Sequence, residues 1–421
     1  MTSDARESWD VVVVGAGAAG LVAASVAAER GKHTILLEKN KKPGVKILMS
    51  GGTRCNITQN TDNRGIVAAY GPPGRFLHSA LAAFGVRESI AMFEAEGVAT
   101  KIEDTGKIFP ASDKASDVLE ALLRKLQRSG AVLASEEPLL EIERLENGFA
   151  LRSTKRSIHA RNLVLTTGGQ SYPGSGTTGD GYRFAASLGH TIIPPRPALV
   201  PITTDADWVR ELRGITITDV QVRVVEPAAE GAKSSRPKPL AERRGSLLFA
   251  HFGLSGPAAL DVSRAVSGHD RPRSLQLVCD FLPNLKPAQF DEMLRAAAAE
   301  AGKKQLISLL PDQLPHRLAT ALLEQVGLDP TLRAAEVGTK VRTGVVEAVK
   351  NCTIPISGTM GFRKAEVTAG GVDLREVDSS TMQSKLVPGL YLAGEVLDLD
   401  GPIGGYNFQA AWSAGYLAGA S

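Results

Sequence analysis

At 421 residues the chain is longer than one ordinary hydrophobic core supports, so two or three domains are expected. Its 48 lysines and arginines against 45 aspartates and glutamates leave a net charge of +3, which points to neither nucleic acid nor membrane and forbids neither, while 43% hydrophobic and 22% charged residues are ordinary for a soluble globular protein. Cys55, Cys279 and Cys352 are far apart in sequence with no C-x-x-C, which excludes a zinc pattern and a dithiol redox pair and suits a reducing cytoplasm. No metal is expected.

In chain order, an apolar run Val11–Val14 leads into Gly15-x-Gly17-x-x-Gly20, an apolar helical pattern, and a second run Thr34–Leu37 ending at Glu38. This is a βαβ unit with a dinucleotide fingerprint and an acidic residue about 20 positions on. Gly15 allows the tight turn, Gly17 lets the backbone approach a pyrophosphate, and Gly20 lets the helix pack on the strands. The helix N-terminus offers free N–H groups to the phosphates, and Glu38 can accept from both ribose hydroxyls. The uncharged stretch Val11–Ala28 follows Asp4, Glu7 and Asp10 rather than a basic region, so it reads as buried strand and helix, not as a signal or membrane span.

A loop rich in glycine and lysine follows, with Lys39, Lys41, Lys42 and Lys46, and then mainly helical spacing over 74–130. Residues 131–165 read as short strands, and Leu163–Thr167 with Gly168-Gly169 as a further buried parallel strand ending at a ligand edge. Beyond His190 the character changes: 199–285 alternate as in an antiparallel β domain, Lys233–Arg244 form a basic loop, and 287–350 are helical. The C-terminal strand Leu390–Ala393 and a helix entered at Gly404-Gly405 would complete the first sheet. The expected fold is α/β, with a discontinuous Rossmann-like nucleotide-binding domain (1–195 and 351–421), an inserted antiparallel β domain (196–285) and a helical subdomain (286–350).

The C-terminal loop favours FAD over NAD. Glu395, Asp398 and Asp400 follow a strand that ends in Ala393-Gly394, where an acid can bond ribityl hydroxyls. A helix N-terminus after Gly404-Gly405-Tyr406-Asn407 would stabilise the charge that builds on a reduced flavin's pyrimidine edge. Lys46 suits the pyrophosphate, and Arg54 in its glycine loop suits a phosphate or flavin carbonyl. Cys55, Tyr172 and His251 are the candidate proton donors to substrate, with packing the alternative for Cys55.

The chain resembles the BaiN/RdsA family of bacterial flavoproteins, also described as NAD(P)/FAD-dependent or aminoacetone-oxidase-like oxidoreductases. The resemblance rests on VVVVGAGAAG, KILMSGGTRCNIT, GKIFPASDKASDV, TTGGQSYPGSGTTGDGY, AHFGLSGPAAL, VTAGGVDLREVD and SKLVPGLYLAGEVLDLDGPIGGYNFQAAWSAG, in family order across nearly the whole chain. One departure is Thr53, where the family usually has a third glycine. The resemblance implies a glutathione-reductase-type FAD domain binding FAD non-covalently. It implies FAD contacts at Gly15, Gly17, Ala19, Glu38, Lys39 and Lys46, then Gly51, Arg54, Cys55 and Asn56. Thr167 and Gly168 follow, and finally Gly394, Glu395, Asp398, Gly404, Gly405, Tyr406 and Asn407.

The main functional expectation is hydride transfer between flavin N5 and a small-molecule substrate. With no second fingerprint, NADPH or NADH would bind transiently as electron donor. The alternatives are an O2-dependent amine oxidase, a ribosomal RNA dihydrouridine synthase reducing uracil, and a non-catalytic FAD-binding scaffold. The RNA alternative draws on the basic clusters at 152–161 and 233–244. No membrane partner is expected, and the sequence carries no signal for oligomeric state.

Overall fold

A computed structural model describes residues 7–227, 238–300 and 302–421. The chain divides into two compact units, one comprising residues up to Pro197 with Glu366–Ser421, the other Ala198–Ala365.

The first unit is Rossmann-like. Strand β1 (Glu7–Val14), helix α1 (Ala18–Glu29) and strand β2 (Thr34–Leu37) form the βαβ unit. Helix α2 (Val45–Thr53) follows, then after smaller elements α3 (Ala115–Ser129), β3 (Val132–Ala134), β4 (Leu139–Leu145), β5 (Gly148–Ser153), β6 (Ser157–Leu165) and α4 (Asp180–Ser187). The late β7 (Leu390–Leu392) and α5 (Tyr406–Ala420) return to it. The described residues build a seven-stranded sheet in the order β3-β2-β1-β6-β5-β4, with β7 beside the end of β6. Val12 faces Ile35 on one side and Leu163 on the other, in parallel register. The pleat sends alternate residues to opposite faces. Val11, Val13, Leu36 and Val164 enter the core under α1 and α3, while Val12, Val14, Ile35, Leu163 and Leu165 enter the core on the other face. Burial on both faces is why these strands read as continuous apolar runs.

Helix α5 lies directly against α1. A Cβ at Gly415 would be 2.4 Å from the Ala19 carbonyl oxygen, and one at Gly419 would be 2.3 Å from that of Ala23. Glycine at both points lets the two backbones touch, and α5 thereby completes the domain that α1 begins.

In the second unit the described residues form a seven-stranded antiparallel sheet with helix Pro257–Ser267 against it. Helices Pro287–Glu300, His316–Gln325 and Thr339–Lys350 share one core with this sheet, through Phe290, Leu318, Val345 and Val349 among others. The helical segment is therefore continuous with the β-rich segment rather than a subdomain apart. Strand Cys352–Pro355 pairs with Gln276–Asp280, and Gly358–Thr359 pairs with Ile202–Thr203, so the return to the first unit comes at Glu366, not at 351. The pairing sets Cys279 opposite Cys352, both buried free thiols.

Among the described residues, arginines of the basic clusters are paired with acids. Arg152 pairs with Glu141, Arg156 with Glu7 and Glu137, Arg243 with Asp261, and Arg244 with Asp219. Residues 233–237 of the expected basic loop lie outside the described residues.

Candidate functional site

The expected site residues of the first unit gather at the C-terminal ends of β1, β2, β6 and β7, the edge where open parallel sheets bind ligands. Each fingerprint glycine has a distinct reason. Gly15 has φ +101°, and a Cβ there would lie 2.7 Å from the Thr166 carbonyl oxygen. A Cβ at Gly20 would lie 1.9 Å from the Gly15 oxygen, so that glycine seats α1 on the turn. Gly17 differs: a Cβ there meets no atom within 4 Å. It is the N-cap of α1, and no side chain caps the helix. Unsatisfied N–H groups and a positive dipole end therefore face open space, as an anion site requires.

Glu38 directly follows β2 and is 7% exposed. Its Oε2 accepts from the Ala16 N–H at 2.8 Å and its Oε1 from the Asn40 N–H at 2.7 Å. Each oxygen keeps acceptor capacity for a hydroxyl, so the carboxylate is oriented without being saturated.

The second loop is tightly wound. Helix α2 breaks at Ser50–Gly52, where Gly51 and Gly52 have φ +56° and +67°. Thr53 continues at φ +70° and Cys55 at +60°. The missing third glycine is thus a strained position. A left-handed L-residue costs about 1–2 kcal/mol, against about 0.5–1 kcal/mol of chain entropy for a glycine. Thr53→Gly is expected to raise stability by about 0.5–1 kcal/mol, seen as a Tm increase of about 1–4 °C; a fall in Tm would show that Thr53 is unstrained.

Several expected contacts prove to be engaged elsewhere. Arg54 donates to Glu103 at 2.6 Å and Asp113 at 3.3 Å, and its guanidinium lies 4.0 Å from the Phe109 ring centre. The hydrogen bond to Glu103 leads the causes that hold its pKa above the ordinary arginine value. Arg54 is the centre of a local charge network rather than an unpaired phosphate clamp. Lys39 pairs with Asp180 at 2.6 Å and also donates to Thr178. Lys46 pairs with Glu395 at 2.5 Å and donates to Ser171 at 2.6 Å, so its charge is answered within the protein. Glu395 also accepts from the Ser171 hydroxyl and the Thr368 N–H, each at 2.8 Å. This joins α2, the loop after β6, strand Val367–Val372 and the end of β7 in one hub.

Cys55 is fully buried, and burial pushes its thiol up to about 12. It packs in the core, and its expected role as proton donor finds no support. Its neighbour Asn56 is 8% exposed, and its Oδ1 has no hydrogen-bond partner among the described residues; the same holds for the buried Thr167 hydroxyl. Two orphaned polar atoms on the expected contact list, with the open face of Gly17, fit a bound dinucleotide.

In the C-terminal loop, Gly394 has φ +79°, and its Cβ position lies 3.0 Å from the Ala19 methyl, which brings this loop to the first turn of α1. Asp398 accepts from the Gly370 N–H at 3.0 Å. A Cβ at Gly405 would lie 2.6 Å from the Thr58 carbonyl carbon, and α5 starts beyond it with no side-chain cap. Asn407 closes its own loop: Oδ1 accepts from the Gly401 N–H at 2.8 Å and Nδ2 donates to the Gly401 oxygen at 3.0 Å. It shapes the approach to α5. Tyr70, absent from the expected residues, donates to the Tyr406 carbonyl at 3.1 Å. Burial first, then Asp400 and Glu395, push its pKa up. A lone tyrosine ahead of Gly-Pro-Pro carries no sequence signal for this role.

Tyr172 is 37% exposed with φ +54°. His251 belongs to the second unit, on an exposed turn and edge-on to Phe252 at 5.0 Å. Among the described residues there is no candidate metal cluster, and no helix is long and apolar enough to cross a membrane.

Comparisons with known proteins identify the family and the fold. The family model described as HI0933-like protein Rossmann domain matches residues 9–421. A ribosomal RNA dihydrouridine synthase of Escherichia coli K12 is 33% identical over 97% of each chain. A 3-dehydro-bile acid delta(4,6)-reductase of Clostridium scindens is 31% identical over 97% of each. The fold matches a 3-ketosteroid-delta4-(5alpha)-dehydrogenase from Rhodococcus jostii RHA1 with TM-score 0.55 and 16% identity, covering 100% of this chain and 98% of that one. The chain belongs to the HI0933-like Rossmann family and is an FAD-dependent oxidoreductase.

Proposed function

We propose that this protein reduces a carbon–carbon double bond conjugated to a carbonyl, and that its substrate is uracil in ribosomal RNA, with NADPH or NADH as electron donor. The observation that carries the reading is full-length similarity to two reductive relatives, joined to a dinucleotide cradle built from four strand ends. Dihydrouridine is uridine with its ring double bond saturated, and the bile-acid relative's name also describes reduction at ring double bonds. The balanced reaction consumes one NAD(P)H and one proton, adding hydride to the carbon β to the carbonyl and a proton to the α carbon.

When bound, flavin supplies the hydride chemistry at N5. The chain's own residues supply the rest. The open N-terminus of α1 and Gly17 would hold the pyrophosphate, Glu38 would orient the adenosine ribose, and Asn56 and Thr167 would offer their unpartnered polar atoms. The uncapped start of α5 would favour negative charge on a flavin edge bound against it.

A small-molecule enone is the second reading, favoured by the acid partners of Arg152, Arg156, Arg243 and Arg244. The test is incubation of the flavin-loaded protein with NADPH and unmodified ribosomal RNA transcripts, followed by mass spectrometry of the nucleosides. Gain of two hydrogens at a uridine supports the RNA reading. Reduction of steroid enones with no RNA product would replace it with the second. A flavin that neither NADPH nor NADH bleaches would turn the reading to an oxidase or a scaffold.

A further inference from the structure

We infer that Tyr172 is a substrate-stacking residue whose ring forms a fixed platform for the base to be reduced, rather than the proton donor its position in the sequence suggests. The inference rests on the RNA reading above.

Tyr172 holds φ +54° and ψ 65°. A bulky L-residue is strained there, and Pro173, which follows it, further restricts the backbone. Such an outlier persists only where its surroundings over-determine it, and they do. Its carbonyl accepts from the Ser175 N–H and the Ser175 hydroxyl, each at 2.8 Å. On the near side Ser171 is fixed by Thr368 at 3.0 Å, Glu395 at 2.8 Å and Lys46 at 2.6 Å. On the far side Asn40 holds the Ser175 carbonyl at 2.9 Å.

Ser171 and Ser175 are buried, whereas the Tyr172 side chain between them stays exposed. The loop is thus rigid at both ends and presents one aromatic ring. It does so one residue from the Lys46–Glu395 hub, at the edge where the cofactor residues gather. The tyrosine hydroxyl has no partner among the described residues, so nothing aligns it as an acid. A uracil that is to be reduced must leave the RNA stack, and an aromatic face replaces the stacking that it loses. The preorganised ring does so with little further ordering.

The test uses the flavin-loaded protein, unmodified ribosomal RNA transcripts as substrate and a short oligouridylate as binding probe. Tyr172→Phe and Tyr172→Trp are expected to keep KM and oligouridylate Kd within about threefold. Tyr172→Ala and the bulkier Tyr172→Leu are expected to raise both by roughly 5- to 150-fold, the range for loss of one base–aromatic stack. Flavin content and the rate of bleaching by NADPH should not change. A Phe variant that loses as much kcat as the Ala variant would overturn the platform in favour of the acid. Unchanged KM and Kd in both Ala and Leu variants would overturn it outright. If the wild type forms no dihydrouridine, the RNA reading has failed, and a base platform with it; a wild type that forms it with indifferent variants fails the Tyr172 inference alone.

Discussion

Gly17→Asp is expected to give a folded protein that binds no flavin. The backbone at residue 17 is extended, φ −85° and ψ −164°, and a Cβ has open space, so aspartate fits without strain. It is also a preferred N-cap residue where no side-chain cap now exists, so the apo protein should hold its Tm or gain slightly. The same carboxylate occupies the anion site. A like charge at about 4 Å and an effective dielectric of about 20 costs about 4 kcal/mol, roughly a thousandfold in affinity for each charge of the pyrophosphate. The purified variant should be colourless at about 450 nm and resist reconstitution with FAD. Full flavin occupancy would show that the turn of α1 is not where the dinucleotide lies.

The second large effect is expected at Glu395. Glu395→Ala strips the acceptor from the Lys46 ammonium, the Ser171 hydroxyl and the Thr368 N–H together. Charged hydrogen bonds of this kind contribute about 1.5–3 kcal/mol each, and an orphaned donor adds its own desolvation penalty. Lys46 is 29% exposed and can recover water, which limits the total. A loss of about 2–4 kcal/mol is expected in urea unfolding, with weaker FAD retention. Lys46→Met should cost less, because it leaves the Glu395 carboxylate with two protein donors. The double variant should cost no more than Glu395→Ala alone, and so less than the sum of the singles. Equal and additive losses would mean that the pair is not coupled.

What the sequence made legible and what it concealed follow from the range of each constraint. The demands on Gly15, Gly17 and Gly20 arise within one turn, so spacing alone reveals them, and the strands buried on both faces announce themselves as apolar runs. The partners of Lys39, Lys46 and Arg54 are not legible, because the residues that answer their charge, Asp180, Glu395, Glu103 and Asp113, are far along the chain. A lysine in a glycine loop looks unpaired until the fold closes. The boundary at 351 failed for a related reason: Cys352–Pro355 has the pattern of a strand, but nothing local says which sheet it joins. Asn407 and Cys55 lie in family motifs, yet the first closes its own loop and the second fills the core.

The glycine contacts between α1 and α5 impose a timetable on synthesis. Helix α1 is complete at Glu29, while the surface that covers it begins at Tyr406. At about 5–20 residues per second a ribosome needs roughly 20–80 s to span that interval. Through that time the nascent first domain carries an uncovered apolar helix face, and the second unit can mature before the first has closed. The chain is therefore most exposed to aggregation and proteolysis while it is still being made, and its cofactor pocket is among the last parts to mature.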